Sequence, residues 1–210
     1  AYRGTAYIVF ERLPLEDFGN RIPLFSFEVI RSIGALERDI RAVTMIPGAT
    51  EFGYSPDSVK EIKSPGHKVP LTRHTDRRHT DWDASLGELN ALCPNLERVG
   101  LVAAWFGDDL RANHCTIKPG VTDRDIVTTV AWASAGLGRA TARLVSQYKD
   151  KPAYGGTPSD ASVIAAIRDL DDHGLKVTFI PFIMMDIPEE NGLTDPYGGD
   201  EQGAYPWRGM

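Results

Sequence analysis

The chain has 210 residues, 42% of them hydrophobic and 25% charged, which is an ordinary globular composition. Its net charge of -6 argues against a nucleic-acid or anionic-membrane partner, because both favour basic surfaces. No apolar run reaches the roughly 20 residues of a membrane-spanning helix, and the spacing of Cys93 and Cys115 matches no zinc-binding pattern. We therefore expect no membrane span, no metal site and no cofactor.

The first 31 residues predict two β-strands joined by a loop. Residues 6–10 are rich in β-formers, and Phe25, Phe27 and Val29 alternate with other positions as in a half-buried strand. The connection carries Pro14 and Gly19, which turns require. Because a two-stranded pair is not stable alone, we expect it to pair with further chain or with a partner subunit.

Residues 48–80 are polar and rich in glycine, proline and charge, so they read as a connecting segment. A loop of this length is unusual within a compact domain. The sequence therefore predicts two modules, a β segment over 1–47 and an α/β portion over 81–210, with 48–80 as the linker.

From residue 80 onwards, helices alternate with buried strands. A helix is predicted to begin at Thr80 or Asp81 and to end before Pro94. Further elements follow in this order: a strand over 99–106, a helix over 132–148, a helix over 155–174 and a strand over 177–185. Strands that read as continuous apolar runs are buried on both faces, as in parallel sheets with helices outside, so we expect an α/β fold.

Both apolar strands run directly into acidic residues. Asp108 and Asp109 follow the first strand, and Asp186 follows the second. Since sites in parallel α/β folds lie at the carboxyl ends of the strands, these carboxylates should share one rim, with Trp105 as an aromatic wall. Such a cleft suits a carbohydrate. The alternative interpretation is that these aspartates only cap helices or form turns.

Two other polar stretches attract attention without defining a site. The histidines of "RHTDRRHTD", His74 and His79, lie near Asp76 and Asp81 but lack the helical spacing of a metal motif. The glycines of "YGGTPSD" precede a helix start, which could hold an anion. The simpler interpretation is a surface loop and a capped helix.

Several long stretches together resemble one family. These are "YRGTAYIVFERLPLEDFGNRIPLFSFEVIR", "HTDWDASLGELNALCPNLERVGLVAAWFGDDLRANHCTIKPGV", "KPAYGGTPSDASVIAAIRDLDDHGLKVTFIPFIMMDIP", "DPYGG" and "AYPWRG". The first resembles the hub portion, and the others the TIM-barrel-like domain, of the large tail protein of gene transfer agents and related prophages. The likeness covers essentially the whole chain and follows the family's order.

The resemblance implies the N-terminal part of a glycosidase-like TIM barrel, preceded by a short β segment of a phage-tail hub. It also implies a place in the virion, at the tail tip or baseplate, after assembly in the bacterial cytoplasm. The implied partners are other tail and baseplate proteins, a homo-oligomeric hub and a cell-wall or surface glycan.

The family's catalytic carboxylates are expected after later strands, beyond residue 210. Trp105, Asp108, Asp109 and Asp186 would then be rim or substrate-positioning residues. Two alternatives stay open: an active glycoside hydrolase that acts on peptidoglycan or surface polysaccharide, and a barrel that binds glycan without cleaving it.

Overall fold

A computed structural model describes residues 8–19, 21–47 and 50–206 of the chain. The chain divides into two compact units, Ala1–Ile30 and Arg31–Met210. The division therefore falls earlier than the predicted linker, and residues 50–80 belong to the same unit as the sheet.

The first unit differs from the predicted strand pair. Its described residues contain one short 3-10 helix, Glu16–Phe18, and no strand; residues 6 and 7 of the first predicted strand lie outside the described ranges. Phe25 and Phe27 do not lie on the buried face of a strand. Both are exposed, Phe27 by 55%, and the Phe25 ring stacks on Phe10 with centroids 4.3 Å apart. An alternating pattern needs a partner strand to become a strand, and the described part of this unit supplies none.

The second unit is mixed α/β. Its helices are α1 (Ala35–Asp39), α2 (Asp81–Leu92) and α3 (Asp160–Asp172). Its strands are β1 (Ala42–Met45), β2 (Lys60–Ser64), β3 (His67–Pro70), β4 (Arg98–Gly107), β5 (Ile117–Lys118), β6 (Gly120–Val121), β7 (Ala133–Ser134), β8 (Leu137–Gly138), β9 (Arg143–Leu144), β10 (Gln147–Tyr148), β11 (Lys151–Pro152) and β12 (Lys176–Met185).

The main sheet has the strand order β1-β4-β12, and these three strands are parallel. The short strand β5 pairs antiparallel with the end of β4. The described residues do not close into a barrel. None of the helices in the described ranges has both the length and the apolar character that crossing a bilayer demands.

The predicted helices at 80–94 and 155–174 are confirmed as α2 and α3. Thr80 caps α2 by accepting a hydrogen bond from Asp83 N, and Ser159 caps α3 by accepting one from Ser162 N. The two predicted apolar strands are confirmed as β4 and β12, and they run side by side in the same direction. The prediction that both strands are buried on both faces is wrong for β12, where Phe179, Phe182 and Ile183 are exposed, because no described strand lies beside its second edge. Strand β1 was not predicted, because its four residues give too short a pattern to identify.

The helices pack on one face of the sheet, which we call the helical face. Val99 and Leu101 of β4 lie on this face and are fully buried. They pack in a cluster with side chains from both helices and from the segment before them: Tyr54, Trp82, Leu86, Ala166 and Leu170. Trp82 Nε1 also donates to Asp169 Oδ2 at 2.7 Å, which joins α2 to α3.

A long insertion, residues 108–159, connects β4 to α3. The predicted helix over 132–148 is wrong, because this stretch forms short strands. Ala135 and Gly136 both have positive φ and make the tight turn between β7 and β8, which a helix cannot contain. Two glycines in three positions, Gly136 and Gly138, were the sequence signal against a helix.

The predicted linker also contributes to the packed unit. Strands β2 and β3 form an antiparallel hairpin, and residues 127–129 of the insertion extend it, with Ile62 N donating to Val127 O at 2.7 Å. Phe52 and Val59 are buried with Val121 and Trp132 of the insertion. These apolar residues are scattered among polar ones, so the sequence shows no periodic pattern to reveal them.

Candidate functional site

Strands β4 and β12 end together at one edge of the sheet. Their register pairs Gly107 with Met185, and Asp186 N donates to Gly107 O at 2.8 Å. Asp108 and Asp186 therefore follow adjacent strands at equivalent positions. The prediction that the acidic ends of the two strands share one rim is confirmed for these two residues.

Asp186 is fully buried, and its carboxylate accepts hydrogen bonds from two residues of the insertion. Arg143 Nε donates to Asp186 Oδ2 at 2.8 Å, and Arg143 Nη2 donates to the Asp186 main-chain oxygen at 2.6 Å. The Ser146 amide lies 3.2 Å from both carboxylate oxygens. A carboxylate with these partners and no exposed surface anchors the insertion to the end of β12.

Asp108 shares the same arginine but remains partly accessible. Its Oδ2 lies 3.8 Å from Arg143 Nη1, and its Oδ1 accepts a hydrogen bond of 2.6 Å from Thr116 N. The side chain of Asp108 is 36% exposed and that of Arg143 is 21% exposed. Asp108 and Arg143 are therefore the charged groups of this pair of strand ends that a ligand could reach.

Asp109 is buried and ties a different segment to the rim. Arg111 Nη2 donates to Asp109 Oδ2 at 2.7 Å, and Gln202 Nε2 donates to Asp109 Oδ1 at 2.8 Å. The Arg111 side-chain hydrogen bonds hold the pKa of the Asp109 carboxyl well below its usual range, against the effect of burial. Gln202 Oε1 also accepts from Leu110 N at 2.8 Å, so residues 187–206 are held against the end of β4.

Trp105 lies away from these carboxylates. Its register partner is Ile183, and both line an apolar groove of about 500 Å³ between α3 and β12. Phe106 points to the opposite face of the sheet, where it is fully buried against Val145 and Tyr154. None of the three aspartates lines the groove, so the structure does not bring Trp105 and the acids into one cleft.

Tyr148 of the insertion and Tyr205 of the segment after β12 provide aromatic surface near the rim instead. Tyr154, whose OH donates to Met185 O at 3.1 Å, is itself buried. Tyr148 is 46% exposed, and its ring meets that of Tyr205 edge-on with centroids 5.6 Å apart. Sequence reasoning missed these residues and both rim arginines, Arg111 and Arg143. Most of these residues reach the rim through contacts between segments that are distant in sequence, and such contacts leave no local sequence pattern.

The accessible part of the rim can bind a ligand. A general acid must hold a proton near the working pH, whereas the Arg111 hydrogen bonds lower the pKa of the Asp109 carboxyl and favour its ionised form. Asp186 and Asp109 each have an arginine partner and little or no exposed surface. The accessible groups are Asp108, Arg143 and the ring of Tyr148, a set that can hydrogen-bond to hydroxyls and stack on a sugar face.

Comparison of the chain with protein-family models finds no match, and comparison with curated proteins finds none.

Proposed function

We propose that this chain is a structural component of the tail tip or baseplate hub of a phage-like gene transfer agent particle, where it links the tail tube to host-contacting parts. In this proposal, residues 31–210 contain the first strands of a glycosidase-like TIM barrel, and the rim makes contact with a cell-wall or surface glycan. The observation that carries the proposal is the resemblance of three long stretches and two short ones, in order, to the large tail protein of that family.

The order of the sheet supports the barrel part of the proposal. Strands β1, β4 and β12 are neighbours in chain order and parallel, with α2 between the first two and α3 between the second two. Repetition of strand and helix in this order is how a TIM barrel is built. The large insertions lie after the carboxyl ends of the strands, where barrels carry their functional loops.

Among the described residues no strand pairs with the second edge of β12, which leaves room for a further strand there. Lys176 N donates to Glu97 O, just before β4, and Asp186 N donates to Gly107 O of β4, so by alternation the odd-numbered residues of β12 direct their polar backbone groups away from β4. Pro181 is one of these, so its missing N–H costs the β4–β12 ladder nothing but removes one hydrogen bond from the ladder that a further strand would form. Phe179 and Ile183 are exposed on the helical face beside this edge, which is where the helix that connects β12 to a fourth strand would pack.

The state of the carboxylates supports a structural and glycan-contacting role over hydrolysis by this part of the chain. Glycoside hydrolysis needs two carboxyl groups that flank the scissile bond. Here the guanidinium of Arg143 contacts both Asp186 and Asp108.

The structural proposal is tested by particle composition. An epitope tag is placed on the polypeptide that carries this chain, particles are purified from producing cells, and tail-tip fractions are analysed by mass spectrometry with cross-linking. We expect cross-links between this chain and other tail proteins. If the tagged polypeptide is expressed and folded but absent from purified particles, the proposal fails.

A parallel assay separates binding from cleavage. The polypeptide is incubated with peptidoglycan and with surface polysaccharide, and both sedimentation with the glycan and release of reducing ends are measured. Co-sedimentation without release is expected of a glycan-contacting hub. Release that survives Asp108→Asn would place a hydrolase elsewhere in the polypeptide, and release that this substitution abolishes would contradict the role proposed for the rim.

A further inference from the structure

A basic strip, residues 60–79, stands out from the acidic remainder of the chain. It contains six lysine or arginine residues against two acids, and three of the chain's five histidines. The whole chain carries 23 basic residues against 29 acids. The strip therefore has an excess of four positive charges, whereas the rest of the chain carries 17 basic residues against 27 acids.

Two lysines of the strip lie on the same face of the β2–β3 hairpin. Its register pairs Lys60 with Pro70 and Ile62 with Lys68, and residues opposite each other or two apart along a strand share a face. Lys60 and Lys68 therefore lie on the same face, and both are exposed. Glu61, on the other face, is half-buried and pairs with Lys63.

Part of the positive charge is not neutralised within the described ranges. Arg73 pairs with Asp76, and Arg77 lies 3.9 Å from Glu88. No described acid forms an ion pair with three other exposed cations of the strip: Lys60, Lys68 and Arg78. The Arg78 guanidinium lies beside Gly87 of α2, with Nη2 3.5 Å from the position that a Cβ would take there.

The position of the strip in the fold is one where α/β proteins bind ligands. It follows the carboxyl end of β1 and precedes α2, so it lies on the connection that leaves the functional edge of a parallel sheet. Residues 127–129 of the insertion after β4 extend the same hairpin. The strip is thus carried by a supported three-stranded arrangement.

The composition of the strip selects the kind of partner. It contains no Phe, Trp or Tyr, the residues with the largest stacking surface in single-stranded nucleic-acid sites and in sites for neutral sugars. The acidic remainder of the chain repels every polyanion, but most strongly a long duplex, whose charge density is high. We propose that the basic strip binds an anionic polysaccharide, with its exposed lysines and arginine contacting the acidic groups of that polymer. This inference rests on the proposed glycan contact, adds a second surface to the rim and gives the chemical class of the glycan.

The test compares two triple variants that remove the same charge. Lys60→Gln with Lys68→Gln and Arg78→Gln removes three charges of the strip, and the control variant, Arg98→Gln with Arg168→Gln and Lys176→Gln, removes three exposed charges elsewhere in the same unit. Binding of the full chain to labelled chondroitin sulfate is measured by fluorescence anisotropy at fixed ionic strength, with dextran and duplex DNA as comparison polymers and circular dichroism as the folding control.

We expect the wild-type chain to bind chondroitin sulfate and not dextran, and the strip variant to bind about tenfold more weakly because three exposed charge contacts are lost. The control variant should change affinity less than about twofold. The proposal is overturned by absence of binding, by equal loss in both variants, by equal binding of dextran, or by tighter binding of duplex DNA. Each of these results leaves incorporation into particles, the separate test of the hub, unaffected.

Discussion

Arg143 lies between the two carboxylates that end adjacent strands of the main sheet, with its Nε 2.8 Å from Asp186 Oδ2 and its Nη1 3.8 Å from Asp108 Oδ2. The contact joins residue 143 of the insertion to the end of β12. It explains why an apolar strand runs into a buried aspartate, since the carboxylate fixes the loop that covers the strand end.

Packing of the insertion against β4 is tested at Gly120. A Cβ placed there would lie 2.7 Å from Phe106 Cδ2 and 3.0 Å from Val145 Cγ1. Gly120→Ala should lower the free energy of unfolding by about 1–3 kcal/mol, because a close-packed contact must shift. Gly138→Ala is the control, since nothing lies within 4 Å of its Cβ position. Equal urea midpoints for the two variants would contradict the described packing.

Tyr54 joins β1 to β4 where β1 ends. Its hydroxyl lies 2.8 Å from Met45 O and 2.8 Å from Val102 O. Tyr54→Phe should lower the free energy of unfolding by about 1–2 kcal/mol, because buried carbonyl groups lose a donor. The exposed Tyr197→Phe should have no measurable effect in the same urea titration.

The Tyr54 hydroxyl also predicts alkaline sensitivity. Burial raises its pKa well above the usual range, although the hydrogen bond to Val102 lowers it. A group with a raised folded pKa stabilises the fold below its unfolded pKa, about 10 for tyrosine, and loses that contribution as the pH rises. The wild-type chain should therefore lose stability above about pH 10 more steeply than Tyr54→Phe. Parallel curves for the two proteins would contradict the burial of this hydroxyl.

An element of this fold could be predicted from the sequence where the contacts that define it are local. Thr80 and Ser159 cap the two long helices through bonds that span three residues, and the apolar runs of β4 and β12 are continuous, so these elements could be identified. Glu51, by contrast, accepts hydrogen bonds from Thr122 and from Arg139, and Thr157 donates to Ala104 O. Contacts over such separations leave no periodic pattern, which is why the helix predicted over residues 132–148 of the insertion is wrong.

Local sequence patterns also account for the part of the rim that could be predicted. The shared edge of Asp108 and Asp186 follows from parallel strands of matched register, which the apolar runs indicate. Arg143, which pairs with both carboxylates, lies in the insertion, and only the tertiary structure brings that segment close to the two strand ends. Trp105 was placed beside the acids by proximity in sequence, whereas alternation along β4 directs it to the helical face.

Acid sensitivity should arise from Asp109, which holds residues 187–206 to the end of β4. Its folded pKa is depressed, chiefly by the Arg111 hydrogen bonds, so its contribution is present above the unfolded value of about 3.9 and is lost as the pH falls through the folded pKa. Asp109→Asn should lower the urea midpoint at neutral pH, and the difference from wild type should shrink below about pH 4. Asp200→Asn, at an exposed aspartate of the same segment, is the control. A difference that stays constant across this range would contradict the ionised pair.

The central structural claim, that Arg143 and Asp186 act as one buried pair at the end of the sheet, is tested most directly by a double-mutant cycle. Urea unfolding is measured for wild type, Arg143→Met, Asp186→Asn and the double variant. We predict that Arg143→Met alone costs about 3–5 kcal/mol, because it leaves a buried carboxylate without its partner, and that the double variant costs at least about 1 kcal/mol less than the sum of the single variants. Additivity within about 0.5 kcal/mol would contradict the claim.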